Sequence, residues 1–185
     1  MQGSARMDEQ SLQKLRLTPM LWLARAYLKD HNVDEAIRIF EECQKEAADP
    51  SPISMDGLGQ AFHIQQKYED ALVEYDQACS ESHLHHYKEE YLKFRTEFLK
   101  NRAQCYFDMK RYDKAADDLQ TALQFEKHDS MCPKSFLFYR LGLTYFADGK
   151  FKKCIKILKQ ALKNRPYIVY ETDIYYHIGL AYCKT

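Results

Sequence analysis

Glycine and proline are scarce in this chain of 185 residues, six of one and five of the other. That scarcity excludes collagen-like and linker-rich compositions, and no Ser/Pro/Gly tract or low-complexity stretch divides two compositional regions. The chain therefore reads as one array without a linker. The six cysteines include no C-x-x-C pair and no N-x-S/T acceptor exists, which argues for a reducing compartment and an expected cytoplasmic location. No run approaches the eighteen or so uncharged apolar residues of a membrane span; the greasiest, Phe136 to Phe146, is broken by Arg140, so no membrane insertion is expected. The formal net charge is zero, which makes nucleic acid an unlikely partner. Residues 1–10 read as an expression remnant or disordered lead, too short and polar for a signal peptide.

What the chain does contain is a recurring doublet, a small residue followed three positions later by an aromatic one. It appears as Ala24/Tyr27, Gly59/Phe62, Ala103/Tyr106, Gly142/Tyr145 and Gly179/Tyr182, at intervals of 35, 44, 39 and 37 residues. A motif at that period marks stacked two-helix units. After each of the first four doublets comes an apolar helical stripe: Val33, Ala36, Ile37, Phe40 and Cys43; Tyr68, Ala71, Leu72, Tyr75 and Ala78; Tyr112, Ala115, Leu119 and Ala122; Phe151, Cys154, Ile155, Leu158 and Ala161. Short polar turns at Lys29–Asn32, Gln65–Lys67, Met109–Arg111 and Asp148–Lys150 force antiparallel neighbours. Prolines at Pro50, Pro52, Pro133 and Pro166 stop helices between units. With 45% apolar residues the array can bury roughly 70% of its unfolded surface and needs no metal or disulfide.

These residues resemble the tetratricopeptide repeat family. Phe138-x-x-Leu141-Gly142-x-x-Tyr145 with Cys154, Leu158, Ala161 and Pro166 is the nearest match, followed by Met55-x-x-Leu58-Gly59-x-x-Phe62 with Ala71, Tyr75 and Ala78. The resemblance implies an all-α, right-handed superhelical solenoid of about four and a half repeats and nine helices over residues 11–185. Its units would lie near 17–50, 52–83, 84–130, 134–166 and 167–185, the last incomplete or capping. The third unit is about ten residues too long, and the helical composition of residues 84–98 predicts a first helix lengthened by two or more turns. The final helix, Asp173 to Thr185, is expected to present Ile174, Ile178 and Tyr182 on its apolar face.

In the family the first helices line a concave groove. The resemblance thus implies a peptide-binding lining of Trp22, Arg25, Gln60, Lys100, Asn101, Gln104, Phe136, Tyr139, Arg140 and Tyr176, with Asp56 on the same wall. Asn101 and Gln104 would bond peptide backbone, Arg140 and Arg25 would take an acidic group, and Trp22, Phe136 and Tyr139 would seat apolar side chains. The carboxylate clamp of chaperone-tail-binding relatives is matched only at Asn101 and Arg140. Asp56, Gln60 and Phe136 stand where it needs lysine, asparagine and lysine, which leaves chaperone-tail binding the weaker reading.

Charge is unevenly placed. Between Asp34 and His83 twelve acids face three bases, a balance of −9, and between Lys134 and Arg165 nine bases face one acid, a balance of +8. Lys152, Lys156, Lys159 and Lys163 form an exposed stripe open to an acidic partner, and end-to-end self-association is a further expectation. Gly57-x-Gly59 lacks the third glycine and preceding strand of a dinucleotide loop. His83-Leu-His-His86 with Cys79 reads as a solvated cluster rather than a metal site. No catalytic residue, metal or cofactor is expected. The sequence points to a protein-interaction scaffold that binds a peptide or helix of another protein, or else to a segment of a longer array serving complex assembly.

Overall fold

The computed structural model describes residues 9–47, 49–84, 87–125, 133–164 and 166–185; of the remnant reading of residues 1–10, residues 1–8 lie outside them, and Glu9 and Gln10 are helical. Among the described residues there are nine α-helices and a 3₁₀ turn, with no strand. They form two compact units, Met1–His83 and Leu84–Thr185. Unit 1 holds α1 (Glu9–Lys29), α2 (Val33–Glu46), α3 (Pro52–Ile64) and α4 (Tyr68–Ala78). Unit 2 holds α5 (Lys88–Asp108), α6 (Tyr112–Phe125), α7 (Lys134–Ala147), α8 (Phe151–Lys163) and α9 (Ile168–Cys183). Within each unit every helix packs on the next, and α1 also touches α3 as α7 touches α9.

One turn geometry makes all four hairpins. The residue four after each motif aromatic is left-handed: His31 (φ 60°), Gln66 (60°), Lys110 (59°) and Gly149 (72°). The next N–H reaches back to the aromatic's own carbonyl: Asn32 to Tyr27, Lys67 to Phe62, Arg111 to Tyr106 and Lys150 to Tyr145, at 2.8–2.9 Å. This satisfies a carbonyl orphaned at the helix end. The carbonyls of Asn32, Lys67, Arg111 and Lys150 then accept from the N–H of Ala36, Ala71, Ala115 and Cys154, starting the second helix. Three of the four left-handed positions carry a Cβ, each at a cost of about 1 kcal/mol or more.

Between hairpins, Pro52 sits in the first turn of α3, where its missing N–H costs nothing, and Ser51 accepts from the N–H of Ile53. α1 starts eight residues before the expected first unit and carries Pro19, which supplies no bond to the carbonyl of Leu15. α5 has 21 residues against 14 in α7, the expected lengthening of two turns, and the extra turns bury Tyr91, Phe94 and Phe98.

The core lies between the helices. Ala36, Phe40 and Cys43 of α2, Ala71, Leu72, Tyr75 and Ala78 of α4, and Cys154, Ile155, Leu158 and Ala161 of α8 are all buried, as their stripes predict. Glycine admits close approach: a Cβ at Gly59 would stand 2.7 Å from the Tyr75 ring, and one at Gly142 would stand 2.2 Å from Leu158. Burial pushes the thiols of Cys43 and Cys154 up to about 11, because a low-dielectric slot disfavours the thiolate.

The last helix departs from its expected face. Ile174 and Ile178 are buried, but the third place belongs to Ala181, and Tyr182 is 56% exposed. From α8, Lys159 reaches the Tyr182 ring and hydroxyl.

Candidate functional site

In unit 2, helices α5, α7 and α9 carry the predicted binding residues on the side away from their paired helices. On α7, Phe136, Tyr139 and Arg140 fall within one turn, because Gly142 and Tyr145 take the face toward α8. Phe136 and Tyr139 meet Tyr170 of α9 with ring centroids 5.5 and 5.1 Å apart, and Tyr167 extends the cluster at 6.4 Å. The Tyr139 hydroxyl donates to Asp173 Oδ2 at 2.7 Å. Burial and that bond push Tyr139 up to about 12, so it stays a neutral donor. Phe136, Tyr139 and Tyr170 are half-buried and Tyr167 is 65% exposed, which leaves an aromatic shelf.

Arg140 stands beside this shelf, half-buried, with its guanidinium 5.8 Å from the centre of the Phe107 ring. Burial lowers its pKa from the ordinary arginine value, while Asp108, Tyr139 and Tyr170 counter that effect electrostatically. No carboxylate among the described residues closes an ion pair with it. On α5, Gln104 donates its amide to both oxygens of Asp108 at 2.9 and 3.0 Å, which leaves its carbonyl as the available group. Lys100 is paired with Glu97 at 2.8 Å, and Asn101 is half-buried on the same stripe as Gln104. Tyr176 is 60% exposed, its ring edge-on to His177 at 5.3 Å.

The predicted residues of unit 1 form their own set. Trp22 is 48% exposed, with the Arg25 guanidinium 5.3 Å from the centre of its ring. Asp56 does not wall an open surface: it is fully buried and accepts from Gln60 Nε2 at 2.6 Å. The groove wall expected at Asp56 therefore shows no exposed carboxylate, and Gln60 has one amide donor already used.

Along α8, Lys152, Lys156 and Lys163 are exposed, whereas Lys159 donates to the Tyr182 hydroxyl at 2.8 Å and lies 5.4 Å from the centre of its ring. Beside this stripe a shallow depression of about 330 Å³ is lined by Lys150, Phe151, Lys152, Lys153 and Lys184. Lys150 is already committed, bridging Asp113 and Asp148 at 2.6 Å each. The His85 and His86 part of the histidine cluster lies outside the described residues. Among the described residues no three His, Cys, Asp or Glu side chains gather as metal ligands.

Sequence reasoning missed Tyr167, Tyr170 and Asp173. The signal was present: Pro166 fixes where α9 can begin, and Tyr170 and Asp173 then fall on the side of α9 that meets α7.

Profiles of the tetratricopeptide repeat match residues 21–82, 96–129 and 137–167. The chain belongs to the tetratricopeptide repeat family. Among curated proteins it is similar to the BBSome complex member BBS4 of Bos taurus and of Mus musculus, each 27% identical over 156 residues. The match takes in 83% of this chain and 26% of each relative, so the chain spans about a quarter of their length. Similar solved structures include BtubC from P. vanneervenii, with TM-score 0.72 and 21% identity over 88% of this chain and 66% of that one. MamA from Desulfovibrio magneticus RS-1 gives 0.67 and 18% over 89% and 82%. YrrB, described as a TPR protein with an unusual peptide-binding site, gives 0.66 and 12% over 89% and 75%. At these identities the structures establish the all-α helical-repeat fold alone.

Proposed function

We propose that this protein is a cytoplasmic interaction scaffold, without chemistry of its own, that binds an extended segment or helix of another protein on the first-helix face of unit 2. One observation carries this reading: the half-buried Arg140 guanidinium, which closes no ion pair among the described residues, lies among Phe107, Tyr139 and Tyr170 beside an aromatic shelf. A desolvated cation next to apolar seats suits a ligand that brings an acidic group and an apolar side chain together. Asn101 and the Gln104 carbonyl serve the ligand's backbone, Phe136, Tyr139 and Tyr176 its apolar groups. Lys152, Lys156 and Lys163 offer an acidic region of the partner a secondary, salt-sensitive contact. In unit 1, Trp22 with Arg25 is the corresponding apolar and cationic pair, and the carbonyl of Gln60 remains to accept.

Among the described residues no helix is long and apolar enough to cross a membrane. A second reading, a segment of a longer repeat array that serves complex assembly, is favoured by the name of the curated relatives, a BBSome complex member, and by the quarter of their length that the chain spans. Affinity capture from cell lysate separates the two readings. The double substitution Asn101→Ala with Arg140→Glu removes about 1.5 to 3 kcal/mol of charged hydrogen bonding and should cut partner recovery at least tenfold. Undiminished recovery with an unchanged melting temperature would reject the peptide reading and leave the assembly reading.

A further inference from the structure

The outer stripe of α8 breaks a charge rule that the other second helices keep. Counting from the small residue of each doublet, the tenth, fourteenth, seventeenth and twenty-first positions share one helical face. They read Asp34, Arg38, Glu41 and Lys45 on α2, then Glu69, Val73 and Asp76 on α4 with Ser80 just beyond it, then Asp113, Asp117, Gln120 and Gln124 on α6. On α8 they read Lys152, Lys156, Lys159 and Lys163. All four lysines are exposed, in a row along about 16 Å of helix.

This arrangement works against the fold. The first turns of α2, α4 and α6 hold Asp34 and Glu35, Glu69 and Asp70, and Asp113, where an acid complements the helix dipole. The first turn of α8 has no acid and carries Lys152 and Lys153 instead. The lysines of the row also stand three or four residues apart, a spacing at which like charges repel. Charge is compensated elsewhere: Arg38 pairs with Glu35 and Glu42, and Lys150 bridges Asp113 and Asp148. Lys152, Lys156 and Lys163 close no ion pair among the described residues, and Lys159 donates to the Tyr182 hydroxyl. Local rules broken at one place, and kept at its three equivalents, mark a functional surface.

The make-up of the row narrows its counterpart. It contains no arginine, aromatic or amide side chain, the groups that fix geometry in protein interfaces and on nucleic acid. Lysine is a hydrated point charge on a flexible stem, which suits a surface that is anionic throughout and has no fixed shape. The apolar face of α8, formed by Cys154, Ile155, Leu158 and Ala161, is buried in the fold and has nothing to insert. We infer that the lysine row of α8 docks this protein on the surface of an anionic phospholipid bilayer, by electrostatic attraction and without insertion. The first-helix face of α5, α7 and α9 stays clear for a peptide, while lipid takes the lysines that an acidic region of a partner would otherwise meet. The inference stands independently of the peptide reading.

The test is co-sedimentation of the 185-residue chain with vesicles of phosphatidylcholine containing about one-third phosphatidylserine, over a range of salt. Binding is expected there and not on phosphatidylcholine alone, and it should weaken steeply as salt rises. Lys152→Gln with Lys156→Gln should weaken it about thirtyfold, roughly fivefold per lysine. The melting temperature of that variant should stay level or rise, because repulsion and the unfavourable first-turn charge are both relieved. Lys29→Gln with Lys45→Gln, an equal change of net charge at exposed positions of unit 1, should cost about threefold at most. An equal loss in the two pairs would reduce the effect to net charge and overturn the assignment. So would binding undiminished by the α8 pair, equal binding to phosphatidylcholine, or no binding at low salt. Tighter binding to polyglutamate or to a single-stranded oligonucleotide, lost with the α8 pair, would reassign the row to an acidic protein or to nucleic acid.

Discussion

The third and fourth hairpins close with different physics on the same backbone plan. In α7–α8 the pair Leu141-Gly142 lets Leu158 approach until a single added methyl would collide with it at 2.2 Å. In α5–α6 the same two positions read Arg102-Ala103, and Arg102 forms a two-pronged ion pair with Asp118, Nε to Oδ2 at 2.8 Å and Nη2 to Oδ1 at 2.7 Å. Those side chains are only 19% and 11% exposed. The repeat therefore fixes volume at the small residue and leaves its neighbour free in polarity, provided the facing helix supplies the complement. Both hairpins bury apolar side chains, and the third adds a largely desolvated charge pair.

The largest test of that contrast is Gly142→Leu, which should cost about 3 kcal/mol in denaturant unfolding because backbone and Leu158 must separate. Ala substituted at Gly142 should cost less but still destabilise. Next comes Asp118→Ala, expected to cost about 2 to 3 kcal/mol by stranding the Arg102 guanidinium. The double change Arg102→Leu with Asp118→Ile, which turns the third hairpin into an apolar one, should return to within about 1 kcal/mol of wild type or exceed it. A double mutant no better than Asp118→Ala would show that the two closures are not interchangeable.

Thiol chemistry sharpens the comparison from the fourth hairpin. Cys154 occupies the slot that Ala115 fills in the third, and its thiol sits near 11, as does that of Cys43. An acid group pushed up stays protonated below that value, so at pH 8 its thiolate fraction falls roughly a hundredfold below that of an ordinary thiol. Iodoacetamide with peptide mapping should mark the exposed Cys183 first and leave Cys43 and Cys154 unmodified in folded protein. Early alkylation of Cys154 would mean that the slot opens.

The smallest effect is in the turns. Lys110 of the third hairpin and Gly149 of the fourth share one left-handed geometry. Lys110→Gly should stabilise by roughly 1 kcal/mol and Gly149→Ala should destabilise by a similar amount, both read as shifts in denaturation midpoint. Equal and opposite shifts are the expected signature of one turn serving two hairpins.

Much of this fold was legible because spacing and volume are local. The small-plus-aromatic doublets located four hairpins, and the apolar stripes named Ala36, Phe40, Tyr75, Leu119 and Leu158 correctly. What escaped depends on tertiary neighbours. Ile39 is buried because α2 is covered by both α1 and α3, a fact its own helix does not encode. Tyr182 repeats the motif of Tyr145, yet one is 56% exposed and the other 8%, since burial belongs to the facing helix rather than to the residue. Asp56 falls on the groove wall by its register, and only the placement of Gln60 explains its burial, as that of Arg102 explains the burial of Asp118. The candidate site was half legible: Phe136, Tyr139 and Arg140 follow from helical register, whereas Tyr170 and Asp173 required knowing how α9 crosses α7.

The proposed binding face of unit 2 is tested most directly by quantitative partner capture with three proteins matched in melting temperature: wild type, Asn101→Ala with Arg140→Glu, and Lys156→Glu with Lys163→Glu on α8. The first pair of substitutions should reduce recovery at least tenfold, and the second should leave it within about threefold at physiological salt. Recovery that survives the change at Arg140 and vanishes with the lysine reversal would contradict the assignment and move the binding face to α8.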